Sequence, residues 1–367
     1  MAMITAGAAH GQGHVHAVPS VSTAQAYDSN LFATSTAPQA DFVTRASLGL
    51  DVDYTTARLT TSARYLQDAE RFADRPQLNS VDARQRATLA FGYQSTARTR
   101  WVADAGFWKT STPGELNEST GLAFSRATAR RLVAHTALHH NLDQRTSEAV
   151  DYTFTQDHVA GRPDAATHDG SIAVERRRST RTALTLDYQF REFLFTSPDS
   201  LGTSAVTSHA MTIGWRRAMT PRWTVALDGG PRMTNASVKP EVAASIHYQA
   251  MAGDLSLTYA RTSATVIGFP DVVETQSLGA AVVWPLWHSM QFRLAPSLFR
   301  TELSGSRVDA WLVALDLSRP LGHGLALDVA VDASSQRGGL NQLLTNAAIA
   351  RHVLLVRLVA GSSSLLR

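Results

Sequence analysis

Thirteen histidines and a scatter of carboxylates are the residues of this chain with the most chemistry available to them. His10, His14 and His16 cluster near the start. On a flexible segment that spacing makes an adventitious metal binder, and no metal site is expected. His139 and His140 are adjacent, so on a regular strand they point to opposite faces and cannot share one ion. No Gly-x-Ser-x-Gly elbow, phosphate loop or dinucleotide fingerprint is present. A hydrolase built on a barrel wall needs a serine, a histidine and a polar orienter converging, and no spacing suggests one. The absence of cysteine removes disulfides, zinc-thiolate sites and thiol catalysis. The expectation is therefore a protein that is not an enzyme and carries no cofactor. Arg176-Arg177-Arg178, beside a short turn, reads as a solvated or headgroup-contacting patch. The net charge of +3, from 34 basic and 31 acidic residues spread along the chain, gives no reason to expect a nucleic-acid partner.

The elements that carry these residues are strands. Leu48, Leu50, Val52 and Tyr54 alternate with Ser47, Gly49, Asp51 and Asp53. Leu59, Ala63 and Tyr65 alternate with Arg58, Thr60, Ser62 and Arg64. Leu184, Leu186, Tyr188 and Phe190 alternate with Thr185, Asp187, Gln189 and Arg191, and Leu325, Leu327, Val329 and Val331 with Ala326, Asp328, Ala330 and Asp332. Strict alternation signals a strand with two unlike faces. The strands read as about 10–14 residues long, against about 5–6 in globular proteins, and that length suits a tilted crossing of a bilayer. Charged residues are only 18% of the 367, mean hydropathy is −0.12, and no apolar run is long enough for a membrane helix.

Two kinds of connection alternate. Short turns fall near 55–57, 95–99, 143–146, 179–181, 219–222, 251–253, 286–288 and 320–324. Longer polar segments fall near 31–40, 70–81, 111–127, 159–167, 195–205, 265–272 and 337–344. The reading is an all-β transmembrane antiparallel barrel of about 18 strands (16–20), with short periplasmic turns and longer extracellular loops. The first strand, near 18–30, the segment 128–142 and the connection at 236–239 carry the weakest pattern. Residues 1–17 are expected to be a flexible N-terminal segment, read as a residual or trimmed export signal. The barrel should occupy 18–360, with a C-terminal tail at 361–367.

The faces follow. Tyr54, Tyr93, Trp215, Tyr248 and Trp284 precede short turns, and Trp101 and Trp223 follow them, each on the apolar parity of its strand. They are candidates for an aromatic girdle at one membrane interface. The polar parity supplies the lumen candidates Asp51, Asp53, Arg64, Asp104, Asp187, Arg191, Asp228, Arg293, Asp316, Asp328 and Asp332, with Arg58 and Arg86 on the same parity. In a membrane barrel the apolar face meets lipid and the polar face lines a wet lumen. Single substitutions of the lumen carboxylates are expected to be mild.

Tyr27-Asp28-Ser29-Asn30-Leu31-Phe32 after the first strand, Asp68-Ala69-Glu70-Arg71-Phe72-Ala73-Asp74 after the third, and Pro113-Gly114-Glu115-Leu116-Asn117 in a long loop resemble β-barrel outer-membrane proteins of the "porin-2" type. The resemblance extends in pattern over the whole chain, and its motifs are short. It implies a bacterial outer-membrane location and a pore through which a hydrophilic polymer, an exopolysaccharide, is secreted. The partners it implies are outer-membrane lipid, the polysaccharide or another polar solute, and a periplasmic polysaccharide-export protein. The chain departs from that pattern at its end. Such barrels usually finish on an aromatic residue, whereas here Val353–Val359 is followed by Gly361-Ser362-Ser363-Ser364-Leu365-Leu366-Arg367. Two other readings stand beside polymer export. One is a general or small-solute diffusion porin. The other is a soluble β-propeller or carbohydrate-binding module, which would need four short strands per repeat where this sequence has two long ones.

Overall fold

The computed structural model describes residues 13–196, 202–322, 324–340 and 347–361. Eighteen antiparallel strands follow one another along the chain. They are β1 (His14–Asp28), β2 (Asp41–Thr55), β3 (Leu59–Phe72), β4 (Ser80–Gln94), β5 (Thr99–Thr110), β6 (Ala129–Asn141), β7 (Thr146–Val159), β8 (Asp164–Arg177) and β9 (Thr182–Thr196). The second half comprises β10 (Thr203–Ala218), β11 (Trp223–Thr234), β12 (Ser237–Gln249), β13 (Asp254–Thr265), β14 (Val272–Pro285), β15 (Gln291–Leu303), β16 (Ser306–Gly322), β17 (Leu325–Gly338) and β18 (Ala347–Ala360). Each pairs with its neighbours in sequence, and β1 closes the ring on β18 from Val21↔Ala360 to Asp28↔Val353. Closure matters because a strand edge left in hydrocarbon would hold unpaired N–H and C=O groups, each costing several kcal/mol.

Strand lengths of 12 to 17 residues exceed what a globular sheet needs. Their outward positions are apolar and uncovered: Leu48 is 64% and Ile213 68% exposed, and Leu50, Leu186, Val331 and Val356 lie in the same band. A contiguous apolar surface wrapped round a closed barrel fits a bilayer and not water. The propeller alternative is thereby excluded, since all eighteen strands belong to one sheet. Val329 sits on this outward row of β17, opposite Val356 and Leu317. Val329→Arg is expected to destabilise the folded barrel by about 2–4 kcal/mol, as for a charge near the bilayer midplane. Its urea midpoint in lipid vesicles, read by heat-modifiable migration, checks this. A midpoint equal to that of wild type would put Val329 off the lipid face.

The short turns lie at one end. Asp143 shows how they are built: its carboxylate accepts from the Arg145 and Thr146 backbone N–H groups at 2.6 and 2.9 Å, which holds its pKa below the ordinary aspartate range. The other end is less uniform than the sequence implies. Long connections occur at 29–40, 73–79, 111–128 and 266–271. Two hairpins at that end are nevertheless tight, through Asn235-Ala236 (φ 45 and 65°) and Ser304-Gly305 (φ 46 and 85°). Positive φ at both central residues is the twist a two-residue hairpin requires.

The N-terminal boundary differs from expectation. His14, Val15, His16 and Ala17 are not part of a flexible segment. They belong to β1 and pair with Thr55, Tyr54, Asp53 and Val52 of β2. His14 and His16 take the polar parity and Val15 and Ala17 the apolar one, so the alternation of β1 starts four residues earlier than expected. His10 and the rest of 1–12 lie outside the described residues, as do 362–367 of the expected tail. Gly361 is held to the barrel by its N–H, which donates to the Gly324 carbonyl at 2.8 Å.

Candidate pore constriction and lumen

The loop between β5 and β6, residues 111–128, does not project away from the barrel. β5 and β14 lie half-way round the eighteen-strand ring from each other, and the loop bridges them. Asn117 Oδ1 accepts from the Ile267 N–H at 3.0 Å, and Thr275 Oγ1 donates to the Ser119 carbonyl at 3.2 Å. On β17, Gln336 Oε1 accepts from the Ala123 N–H at 2.9 Å. Leu122 and Phe124 pack with Val266, Phe269, Val273, Leu303, Val308 and Leu340. Leu116 packs with Val159, Ile267 and Ala129, and Trp108 packs against this cluster. An apolar partition therefore spans the long-loop end of the lumen. Gly121 is required in it: its φ of +62° is left-handed, and a Cβ there would strike the Phe299 ring.

Ion pairs fix the near side of the loop. Glu115 pairs with Arg84, and Arg126 Nη2 lies 3.1 Å from Glu70 Oε2. Glu70, whose side chain is 1% exposed, also meets Arg45 at 2.8 Å and Arg84 at 3.4 Å. Arg131 is bidentate to Asp157 at 2.6 and 2.7 Å and donates to the Leu116 carbonyl. A second cluster fills a split in the wall. The β12–β13 ladder stops at Val242↔Arg261, so the long-loop ends of those strands are unzipped from each other. There Glu241 joins Arg191 at 3.0 Å, Arg232 at 2.5 Å and Thr262 at 2.7 Å, while Glu274 joins Lys239 at 2.6 Å. Arg232 is only 1% exposed. A buried charge persists only when it is paired.

These contacts also mark which side is inside. The parity that meets the loop (Glu70, Arg84, Gln336) is that of the lumen candidates Arg64, Arg86 and Asp328 on the same strands. Asp51 is buried and paired with Arg64, and Asp328 is buried between Ser318 at 2.7 Å and Arg357 at 2.8 Å. Neither is a loosely hydrated pore group. Removing either carboxylate would leave a guanidinium, of Arg64 or Arg357, without its partner. Arg191 is likewise committed, to Asp169 at 3.2 Å and to Glu241. Asp104 meets His135 Nδ1 at 2.8 Å, and Asp151 meets Nε2 of the same ring at 3.4 Å. Asp53, Asp187, Asp228, Arg293, Asp316 and Asp332 stand on the same inward parity without an ion pair among the described residues, as do Arg86 and Arg100. Unpaired cations thus stand on β4, β5 and β15, and unpaired carboxylates on β2, β9, β11, β16 and β17, so the lumen carries both signs.

The seven girdle candidates take outward positions near the short turns. Trp223 stacks on Tyr248 with centroids 4.5 Å apart, and Trp101 meets Phe91 at 5.2 Å. Tyr54, Tyr93, Trp215 and Trp284 stand at the same end. Sequence reading missed an aromatic pair at the long-loop end, where Tyr27 packs on Phe42 at 5.1 Å. Midway along β7 and β9, the Tyr152 and Tyr188 hydroxyls each lie 2.8 Å from a histidine Nδ1, of His168 and His209. Sequence reading also missed Glu70, Arg84, Arg126, Glu241 and Arg232, because what makes them matter is a crossing loop and a strand split. The apolar Leu122 and Phe124 inside a polar segment were the available signal for the crossing. Among the described residues no group of three or more His, Asp or Glu side chains is placed to hold a metal.

No protein family matches the sequence, and no curated protein resembles it significantly. Solved barrels do resemble it in shape. Pseudomonas aeruginosa OpdQ is 10% identical and covers 95% of this chain and 98% of its own, with a TM-score of 0.46. Pseudomonas aeruginosa OpdL is 9% identical, with coverage of 95% and 99% and a TM-score of 0.47. The siderophore receptor PirA from Acinetobacter baumannii is 7% identical, with coverage of 94% and 80% and a TM-score of 0.48. The eighteen-strand closure rests on this chain's own ladders.

Proposed function

We propose that this protein is a bacterial outer-membrane pore for small polar solutes, constricted by loop 111–128. The observation that carries the reading is that loop, which crosses the full lumen and is locked to both walls. A barrel of 16–18 strands otherwise leaves an open aqueous channel. Outside, the apolar band and the aromatic row near the short turns support the membrane assignment. Inside, unpaired groups of both signs give weak, distributed contacts, which let a solute enter and also leave. His135, bridged by two carboxylates, has no serine hydroxyl bonded to it, and a conduit explains the lumen better than a catalyst does. Secretion of an exopolysaccharide has the motif resemblance in its favour. It would require the partition formed by Leu116, Leu122, Phe124, Ile267 and Phe269 to leave the lumen.

The purified protein in planar bilayers is expected to conduct KCl. In vesicles it is expected to admit monosaccharides and amino acids and to exclude long oligosaccharides. A deletion strain should secrete its polysaccharides normally. Loss of one secreted polymer with small-solute uptake intact would favour polymer export instead.

A further inference from the structure

On the outer face of β16, the uncharged residues Trp311, Val313, Leu315 and Leu317 lie between Asp309 and Arg319. Asp309 and Arg319 are ten residues apart. At about 3.3 Å per residue on a strand tilted about 40°, that run rises about 25 Å, the height of the apolar band of an outer-membrane barrel. Asp309 therefore stands at headgroup level, at the long-loop end. The ladders align a polar row with it across five strands: Arg261 of β13, Gln276 of β14, Arg300 of β15, Asp309 and Arg337 of β17. The outward row directly beneath, toward the bilayer centre, is Tyr259, Leu278, Leu298, Trp311 and Ser335. Both rows line one outward groove of about 640 Å³, with Arg300, Asp309 and Arg337 on its polar side and Leu278, Leu298 and Trp311 on its apolar side. Asp309 is shared by Arg300 at 3.0 Å and Arg307 at 2.6 Å, and all three side chains are nearly half exposed. Arg337 is exposed and has no ion pair among the described residues. Guanidiniums outnumber carboxylates here even with Glu302, which stands opposite Arg307.

We propose that this groove on β13–β17 binds a membrane lipid whose headgroup carries a phosphate monoester, in the leaflet at the long-loop end. The phosphate takes the forks of Arg300 and Arg337, since the planar guanidinium matches phosphate oxygens two at a time. The two arginines stand two strands apart, about 10 Å between backbones, a span that two long side chains close on one group. Asp309, between them, accepts from a hydroxyl of the same headgroup. The acyl chains lie along Leu278 and Leu298, and the Trp311 ring sits at the boundary between chains and headgroup, where indoles concentrate. The proposal rests on the membrane placement of the barrel and is independent of what the lumen conducts.

Native mass spectrometry of the delipidated full chain in detergent tests it, with lipid A as the phosphorylated probe and its dephosphorylated form as the control of equal chains and sugars. The full chain is expected to retain lipid A at concentrations where the dephosphorylated form does not bind. Equal retention of the two overturns phosphate recognition. Arg337→Gln should raise the half-binding concentration of lipid A about tenfold, as expected for a lost charged hydrogen bond. Because Arg337 holds no protein carboxylate, the barrel should form as in wild type, which heat-modifiable migration checks. Arg300→Gln added to Arg337→Gln should weaken binding further. Arg71→Gln with Arg130→Gln, outward at the same end on β3 and β6, is the comparison for charge alone. Binding kept in that pair and lost in the Arg300 and Arg337 pair supports the groove. Equal loss in both pairs, or binding unchanged in Arg337→Gln, overturns it. Inorganic phosphate should displace lipid A only at far higher concentration than lipid A itself requires, and displacement at equal concentration overturns any part for the acyl chains.

Discussion

Excising the crossing loop, with 113–126 replaced by a short Gly–Ser bridge, is expected to raise single-channel conductance several-fold. The strands on either side need not move. β5 pairs with β6 from Thr99↔His140 to Thr110↔Ala129, independently of the loop. What is lost is the apolar partition of Leu116, Leu122 and Phe124 and its ties to Ile267, Thr275 and Gln336. Without it an eighteen-strand barrel has the free bore of its wall. Val266, Phe269 and Val273 would then face water, so the variant should also be somewhat less stable. Conductance in planar bilayers checks the expectation, with heat-modifiable migration showing that the barrel has formed. A folded variant of unchanged conductance would mean that the loop does not limit the pore.

Glu70→Ala is expected to cost about 3–5 kcal/mol, the range for breaking a buried ionic cluster by removing one sign. Three guanidiniums, from Arg45, Arg84 and Arg126, converge on this one carboxylate. Arg84 keeps Glu115, but Arg45 and Arg126 have no second carboxylate partner among the described residues. Arg126 belongs to the crossing loop, so the same change frees one of its anchors and should add fluctuation to the open-channel current. Asp53→Asn is the comparison: Asp53 has no ion pair and is exposed, and its effect should stay within about 0.5 kcal/mol. Urea midpoints in vesicles read both. A Glu70→Ala midpoint as close to wild type as that of Asp53→Asn would remove the cluster from any anchoring role.

The two expectations draw on different kinds of information. Asp53 and Glu70 look alike in sequence, each a carboxylate on the polar parity of its strand. Parity told the faces apart correctly for Leu48, Asp51, Leu186 and Asp187, because side chains alternate with a period of two and lipid and water lie on opposite sides of the wall. It could not tell a solvated carboxylate from one ringed by three arginines. Asp51 and Asp328 were grouped with Asp53 and Asp332 for that reason.

Local pattern by itself determined the strands, their number to within two, the short-turn end and the apolar girdle row, since each depends on neighbours a few residues away. The start of β1 at His14 is fixed by its ladder with β2, since four alternating residues are too short a pattern to mark a strand end. The tertiary structure alone decided the rest. Whether segment 111–128 projects away or crosses the lumen depends on Leu122 and Phe124 finding Val266, Val273 and Leu303 on a wall half a barrel away. That contact forms only once the ring has closed, because closure is what brings β5 opposite β14.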